Sequence, residues 1–137
     1  SRLDELQAAI LNVKIKYLDQ DNQKRKNIAD IYDQLSFDDF ITPAKRPDCD
    51  HVYHLYVCKT SRRDELMNYL NKRDIFPGIH YPVPIHLQPA YKDNIALGSD
   101  MHVTESIADN IISLPMYPEL SLDDAEKVNN TIKDFFK

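Results

Sequence analysis

Two glycines, Gly78 and Gly98, are all that this 137-residue chain contains. Average usage of roughly 7% would place about ten in a chain of this length. A P-loop and a dinucleotide fingerprint each need several glycines within one short turn, so neither can be written here. Any phosphate the protein handles must be held in another way. The prolines constrain the chain from the opposite side. Pro82, Pro84 and Pro89 crowd the stretch between Pro82 and Asp100, and each fixes φ and removes an N–H, so this stretch reads as an extended loop held in one shape. The length suits a single domain with a core of its own, here residues 1–137, without disulfides or metal.

Acidic residues outnumber basic ones, giving a formal net charge of −5 and a sequence pI near 5.4. That balance opposes an electrostatic grip on nucleic acid or an anionic membrane face. Cys49 and Cys58 are too few for a secreted disulfide scaffold and lack CxxC spacing, so a reducing cytoplasm is the natural compartment. No apolar run approaches the roughly 18 residues of a membrane span, and the start carries no signal-peptide pattern. The chain opens on Ser1 and runs straight into a helical pattern, which reads as a cut inside a longer protein.

Apolar residues recur at three and four from Leu3 to Leu35 (Leu3, Leu6, Ile10, Val13, Tyr17, then Ile28, Ile31, Tyr32, Leu35), which predicts one long helix with a buried stripe, kinked near Asp21-Asn22. Its other face, with Lys14, Lys16, Asp19, Lys24, Arg25 and Lys26, reads as solvated. His51 to Thr60 reads as a central strand, Ser61 with Asp64 as a capping box opening a helix with Leu66, Met67 and Leu70 inward, and Ile75 to His80 as a second strand. Thr104 reads as the cap of a helix through Ile107, Ala108, Ile111 and Ile112, and Ser113 to Pro118 as a stiff connector. Ser121 and Asp124 form another capping box before a helix buried through Ala125, Val128, Ile132 and Phe135. The class is mixed α/β, a small sheet covered by helices.

Three sets of residues carry possible chemistry. Cys49, His51, His54 and Cys58 match a zinc set by composition, but along a strand His51 faces away from His54 and Cys58, so four ligands do not converge. Cys58, in mid-strand among Leu55, Tyr56 and Val57, reads as a buried, inert thiol rather than a nucleophile. His80, Tyr81 and His86 flank the proline-rigid loop at a strand end, where binding groups commonly sit. Imidazole and phenol suit a hydroxylated or phosphorylated ligand, and equally suit capping of the loop's own carbonyls. Arg2 offers an anion-binding fork or a solvated chain end.

Six segments then appear in order: Arg2-Leu-Asp-Glu-Leu-Gln-Ala-Ala-Ile-Leu11, Asn27-Ile-Ala-Asp-Ile-Tyr32, His51-Val-Tyr-His-Leu-Tyr-Val57, Arg63-Asp-Glu-Leu66, His80-Tyr-Pro-Val-Pro-Ile-His-Leu-Gln-Pro-Ala-Tyr91 and Ser113-Leu-Pro-Met-Tyr-Pro-Glu-Leu120. Together they resemble the C-terminal portion of the DegT/StrS-type sugar aminotransferases, pyridoxal-phosphate enzymes of the aspartate aminotransferase fold. The resemblance covers essentially the whole chain. It departs at Lys59, where an arginine is commoner, and at Thr104, where a small residue is commoner.

The resemblance implies a small C-terminal domain, with a long first helix and a mainly antiparallel sheet, of an enzyme whose N-terminal cofactor-binding domain is absent from the chain. Such enzymes move an amino group, usually from glutamate, to a keto group of a nucleotide-linked sugar, and act as dimers with shared active sites. The Schiff-base lysine lies in the large domain, so no catalytic residue is assigned here and no cofactor is expected on this piece alone. Carried over by position, His80 and Tyr81 would face the nucleotide-sugar pocket with His86 behind them. Arg2 would lie near the neighbouring subunit's cofactor phosphate; the asparagine that chiefly makes that contact in the family would precede Ser1. Two other readings stay open: a dehydratase of the same family, with histidine in place of the lysine, and a non-catalytic binding or regulatory module.

Overall fold

The computed structural model describes residues 4–92 and 94–137. Helix α1 (Glu5–Lys14) passes through a 3₁₀ turn (Ile15–Tyr17) into α2 (Leu18–Tyr32). Strand β1 (Tyr56–Lys59), α3 (Arg63–Asn71), α4 (His102–Asn110), β2 (Ile111–Leu114) and α5 (Leu122–Phe136) follow, with a second 3₁₀ turn at Ile85–Leu87. Strands β1 and β2 pair antiparallel from Tyr56 opposite Leu114 to Lys59 opposite Ile111. Single bridges widen this ribbon on both sides, Ile41 to Lys59 and Gly78 to Ser113.

The alternation of a strand sorts the residues of this sheet onto two faces. Tyr56, Cys58, Ile112 and Leu114 are buried on one. Onto that face pack Ile28, Ala29 and Tyr32 of α2, Leu66 and Leu70 of α3, and Ala125, Val128 and Ile132 of α5. The Tyr32 hydroxyl donates to the carbonyl of Pro115 at 2.9 Å, and the Arg25 guanidinium donates to Met116 at 3.3 Å, so α2 holds the connector after β2. The other face of the sheet carries Val57, Ile111 and Ser113, and there the candidate site forms.

Local expectations meet tertiary structure with mixed outcomes. The Ser121 cap of α5 forms, its hydroxyl accepting the Asp124 N–H at 3.0 Å and donating to the Asp124 carboxylate at 2.6 Å. The one proposed at Ser61 does not. Asp39 takes over, accepting from the Ser61 N–H at 3.0 Å and the Ser61 hydroxyl at 2.6 Å, while the Thr60 hydroxyl accepts the Arg62 N–H. The long first helix tightens at Ile15–Tyr17 and not at Asp21-Asn22. Val13, Ile15 and Tyr17 crowd the preceding turn with β-branched and aromatic side chains, whereas Asp21 lies in the first turn of α2, where a carboxylate suits the helix dipole.

The strand foreseen over residues 51–60 begins only at Tyr56, because Tyr53 takes a left-handed φ of 50° and its N–H turns back onto His51 Nδ1 at 2.9 Å. The strand foreseen at Ile75–His80 reduces to the Gly78 bridge. Helix α4 stops at Asn110, and Ile111-Ile112 become strand, since β-branched residues gain more from pairing with Cys58 and Lys59 than from another helical turn. Its N-cap is Met101 and not Thr104, with the Asp100 carboxylate just before it accepting the His102 N–H at 3.0 Å. The scarcity of glycine shows at the end of α3. Asp74 takes the left-handed position, φ 59°, in a Schellman arrangement closed by Asp74 N–H to Asn71 and Ile75 N–H to Leu70.

Candidate functional site

The second face of the sheet, the proline loop and α4 line an open pocket of about 530 Å³. Its wall is mainly aliphatic, with Val83, Ile85, Ile95, Leu97, Ile107 and Ile111, and the polar groups reaching it include His80, Tyr81 and His86. An apolar cavity with a few oriented polar groups is the usual form of a small-molecule site.

Each of these side chains is held differently. The Gly78 N–H donates to the Ser113 carbonyl at 2.9 Å and the Ser113 N–H to the Gly78 carbonyl at 2.8 Å, so the segment leading to His80 is hung on the edge of β2. The His80 ring folds back over Gly78, and its Nδ1 lies 2.9 Å from the hydroxyl of Ser113. Gly78 has an ordinary negative φ, so it is glycine for space: a Cβ there would stand 2.8 Å from His80 Cε1. Tyr81 packs edge-on to the His80 ring at 5.6 Å and is otherwise open, 75% exposed. His86 is turned inward, its side chain 9% exposed and its Nε2 2.9 Å from Glu105 Oε1. That contact ties the Ile85–Leu87 turn to α4. The structure therefore brings His80, Tyr81 and His86 to the lining of one pocket, with His80 and Tyr81 exposed and His86 engaged with Glu105. Arg2 lies outside the described residues.

Sequence reasoning passed over Ser113, Gly78 and Glu105. Ser113 looked like the first residue of a connector; its strand position and its reach to His80, 33 residues earlier, are tertiary facts. The rarity of glycine was the one available signal for Gly78.

The other candidates disperse. Cys58 is buried on the core face, where burial pushes its thiol well up from the ordinary value, the Asp33 carboxylate adding to this. It stays protonated and shielded, unlike a catalytic cysteine. Cys49 is exposed, and His51 Nδ1 is occupied by the Tyr53 N–H. Among the described residues no three His, Cys, Asp or Glu side chains gather as a metal set, and no helix is long and apolar enough to cross a membrane. The pocket lining also tests the pyridoxal phosphate implied by the resemblance. Among the described residues its lining has no lysine to carry the cofactor and no lysine or arginine to face its phosphate, so those residues alone do not make a seat for it.

Comparison with known proteins agrees with this architecture. The profile of the DegT/DnrJ/EryC1/StrS aminotransferase family matches residues 1–133. A dTDP-3-amino-3,6-dideoxy-alpha-D-galactopyranose transaminase of Aneurinibacillus thermoaerophilus is 39% identical over 136 residues, covering 98% of this chain and 37% of the relative. The crystal structure of Streptomyces venezuelae DesV, in complex with a ketimine intermediate, superposes with a TM-score of 0.91 at 36% identity, covering 99% of this chain and 37% of that one. The crystal structure of a DegT DnrJ EryC1 StrS aminotransferase from Brucella abortus superposes at 0.89 with 33% identity, covering 98% of this chain and 36% of that one. The chain thus spans little more than a third of the length of the proteins it matches. Matched along nearly its whole length in sequence and in fold, it belongs to the DegT/DnrJ/EryC1/StrS aminotransferase family.

Proposed function

We propose that this chain is the C-terminal small domain of a pyridoxal-phosphate-dependent sugar aminotransferase. The intact enzyme moves an amino group from glutamate to the keto group of a nucleotide-linked sugar, acts as a cytoplasmic homodimer, and holds its cofactor mainly in the domain that precedes this one. This piece is inactive alone and supplies one wall of the substrate pocket together with dimer contacts. His80 and Tyr81 contact the nucleotide sugar, His86 keeps the loop beneath them in place through Glu105, and Arg2 reaches toward the cofactor phosphate of the neighbouring subunit.

The observation that carries this reading is the pocket of about 530 Å³ under His80, in a chain 39% identical to a named dTDP-sugar transaminase over 98% of its length. The aliphatic wall suits the face of a deoxysugar, and the exposed imidazole and phenol suit its oxygens. The test uses the intact enzyme in the reverse direction, with dTDP-3-amino-3,6-dideoxy-galactose as donor and 2-oxoglutarate as acceptor. His80→Ala should raise KM for the sugar nucleotide and leave the cofactor absorbance unchanged. Loss of cofactor absorbance, or an unchanged KM, would remove His80 from the pocket wall.

A further inference from the structure

The hydrogen bonds around His80 constrain which of its ring nitrogens carries the proton. The Ser113 side chain sits in a residue only 3% exposed, and among the described residues its hydroxyl has one partner, His80 Nδ1 at 2.9 Å. A hydroxyl carries one proton, and a buried donor without an acceptor costs more than an acceptor lone pair left idle. If Nδ1–H donated to Ser113, the hydroxyl proton would be buried with no acceptor. If Ser113 donates to Nδ1, the proton is satisfied. In the neutral ring the second arrangement leaves the hydrogen on Nε2, for which no protein partner lies within hydrogen-bond range among the described residues.

We propose that Ser113 is a positioning residue that donates to His80 Nδ1 and so presents Nε2–H, a donor of fixed direction, to an oxygen of the ligand. This rests on the reading of the pocket as a nucleotide-sugar site. Two features of the fold make the device rigid. Ser113 gives both its backbone groups to Gly78, its N–H donating at 2.8 Å and its carbonyl accepting at 2.9 Å, and faces Val57 on β1 in the ladder register, so its hydroxyl is held in place, and the missing Cβ at Gly78 is what lets the ring lie within reach. A histidine whose tautomer is set by the bond at its other nitrogen is a general way of choosing between donor and acceptor. Here the choice favours a ligand oxygen that accepts: a keto, hydroxyl or diphosphate oxygen.

The tautomer can be read without any ligand. In the 15N-labelled chain, two-bond proton–nitrogen correlations of the neutral His80 ring, assigned by their disappearance in His80→Gln, should show hydrogen on Nε2. A pattern with hydrogen on Nδ1 in the unmodified chain overturns the proposal, whether or not the Ser113 variants fold. Ser113→Ala should shift the ring toward a mixture of tautomers, and Ser113→Thr, which keeps the hydroxyl, should restore the original pattern. An unchanged pattern in Ser113→Ala also overturns it. In the intact enzyme, Ser113→Ala should raise KM for the dTDP-amino sugar about tenfold, the scale of one lost hydrogen bond, with kcat nearly unchanged and Ser113→Thr close to the parent. If His80→Ala raises KM and Ser113→Ala moves neither KM nor the tautomer, Ser113 has no positioning role and the pocket reading stands. If the tautomer responds as expected and neither variant alters KM, the pocket reading fails, and with it the assignment of Nε2–H to a sugar nucleotide.

Discussion

Helices α1 and α5 carry the same marks in the sequence and end in opposite surroundings. Both place apolar residues at intervals of three and four, and both begin on a side-chain cap, Asp4 accepting the Leu6 N–H at 2.9 Å and Ser121 the Asp124 N–H at 3.0 Å. Helix α5 buries Ala125, Val128, Asn129 and Ile132, and its end packs Phe135 and Phe136 against Tyr69, Phe37 and Phe40, with the Arg62 guanidinium 4.2 Å from the Phe135 ring. In α1 none of the described residues is buried; Leu6 is 69% exposed and Ile10 51%. An apolar stripe states which side of a helix wants cover, and packing alone provides it. Most helical stability in proteins comes from that packing and little from propensity, so these two helices should respond to mutation in very different ways.

The largest effect belongs to the centre of the α5 face. Ile132→Ala should lower the unfolding free energy by about 3 kcal/mol, through lost burial and the cavity left behind, as measured by urea denaturation. A loss under about 1 kcal/mol would mean that α5 is no better anchored than α1. Next comes the cap. Ser121→Ala should cost about 1 kcal/mol because the Asp124 N–H loses its acceptor, while Ser121→Gly should cost less.

Helix α3 offers an intermediate case, since its start is held by a distant residue. Hydrogen bonds from the Ser61 hydroxyl and then the Ser61 N–H hold the Asp39 carboxyl below the ordinary carboxylate range. Its folded value therefore lies below its unfolded one. The stabilisation is complete above the unfolded value and is lost as pH falls through the lowered folded value. Stability measured against pH should have a shallower acid limb in Asp39→Asn than in the parent, and an identical limb would show that Ser61 does not depend on that charge. Smallest of all, Leu6→Ser or Ile10→Ser in this chain should change stability by less than about 0.5 kcal/mol. In the intact enzyme proposed above, the same changes should become costly if the preceding domain covers α1, which would turn the contrast between the helices into a property of the isolated chain.

Much of the fold was legible because the signals were local. The periodicity of α2, α3 and α5 and the cap at Ser121 act within one or two turns, so neighbours in sequence suffice to state them. The errors fall where a distant partner outbids a local preference. Ile111 and Ile112 continue the apolar pattern of α4, yet they pair with Lys59 and Cys58. Ser61 has the spacing of a capping box, yet its hydroxyl goes to Asp39. His51 to Thr60 has strand composition throughout, yet the left-handed turn at Tyr53 ends the extended chain. At the site, the prolines marked a stiff loop and the histidines marked its chemistry. Which histidine turns inward was not legible, because Glu105 and Ser113 lie 19 and 33 residues away from the rings they engage.

The two glycines show where that boundary falls. The amino-acid sequence by itself determined that no glycine-rich phosphate loop can be built, that the loop from Pro82 is stiff, and which face of each helix is apolar, since these follow from covalent geometry and residue spacing. Tertiary structure alone decided that Gly78 serves as space beneath His80, that Ser113 is a buried strand residue whose hydroxyl meets His80 Nδ1, and that α5 is covered while α1 is not. Those outcomes depend on which surfaces meet once the chain has folded, and that is set by packing between segments far apart in sequence.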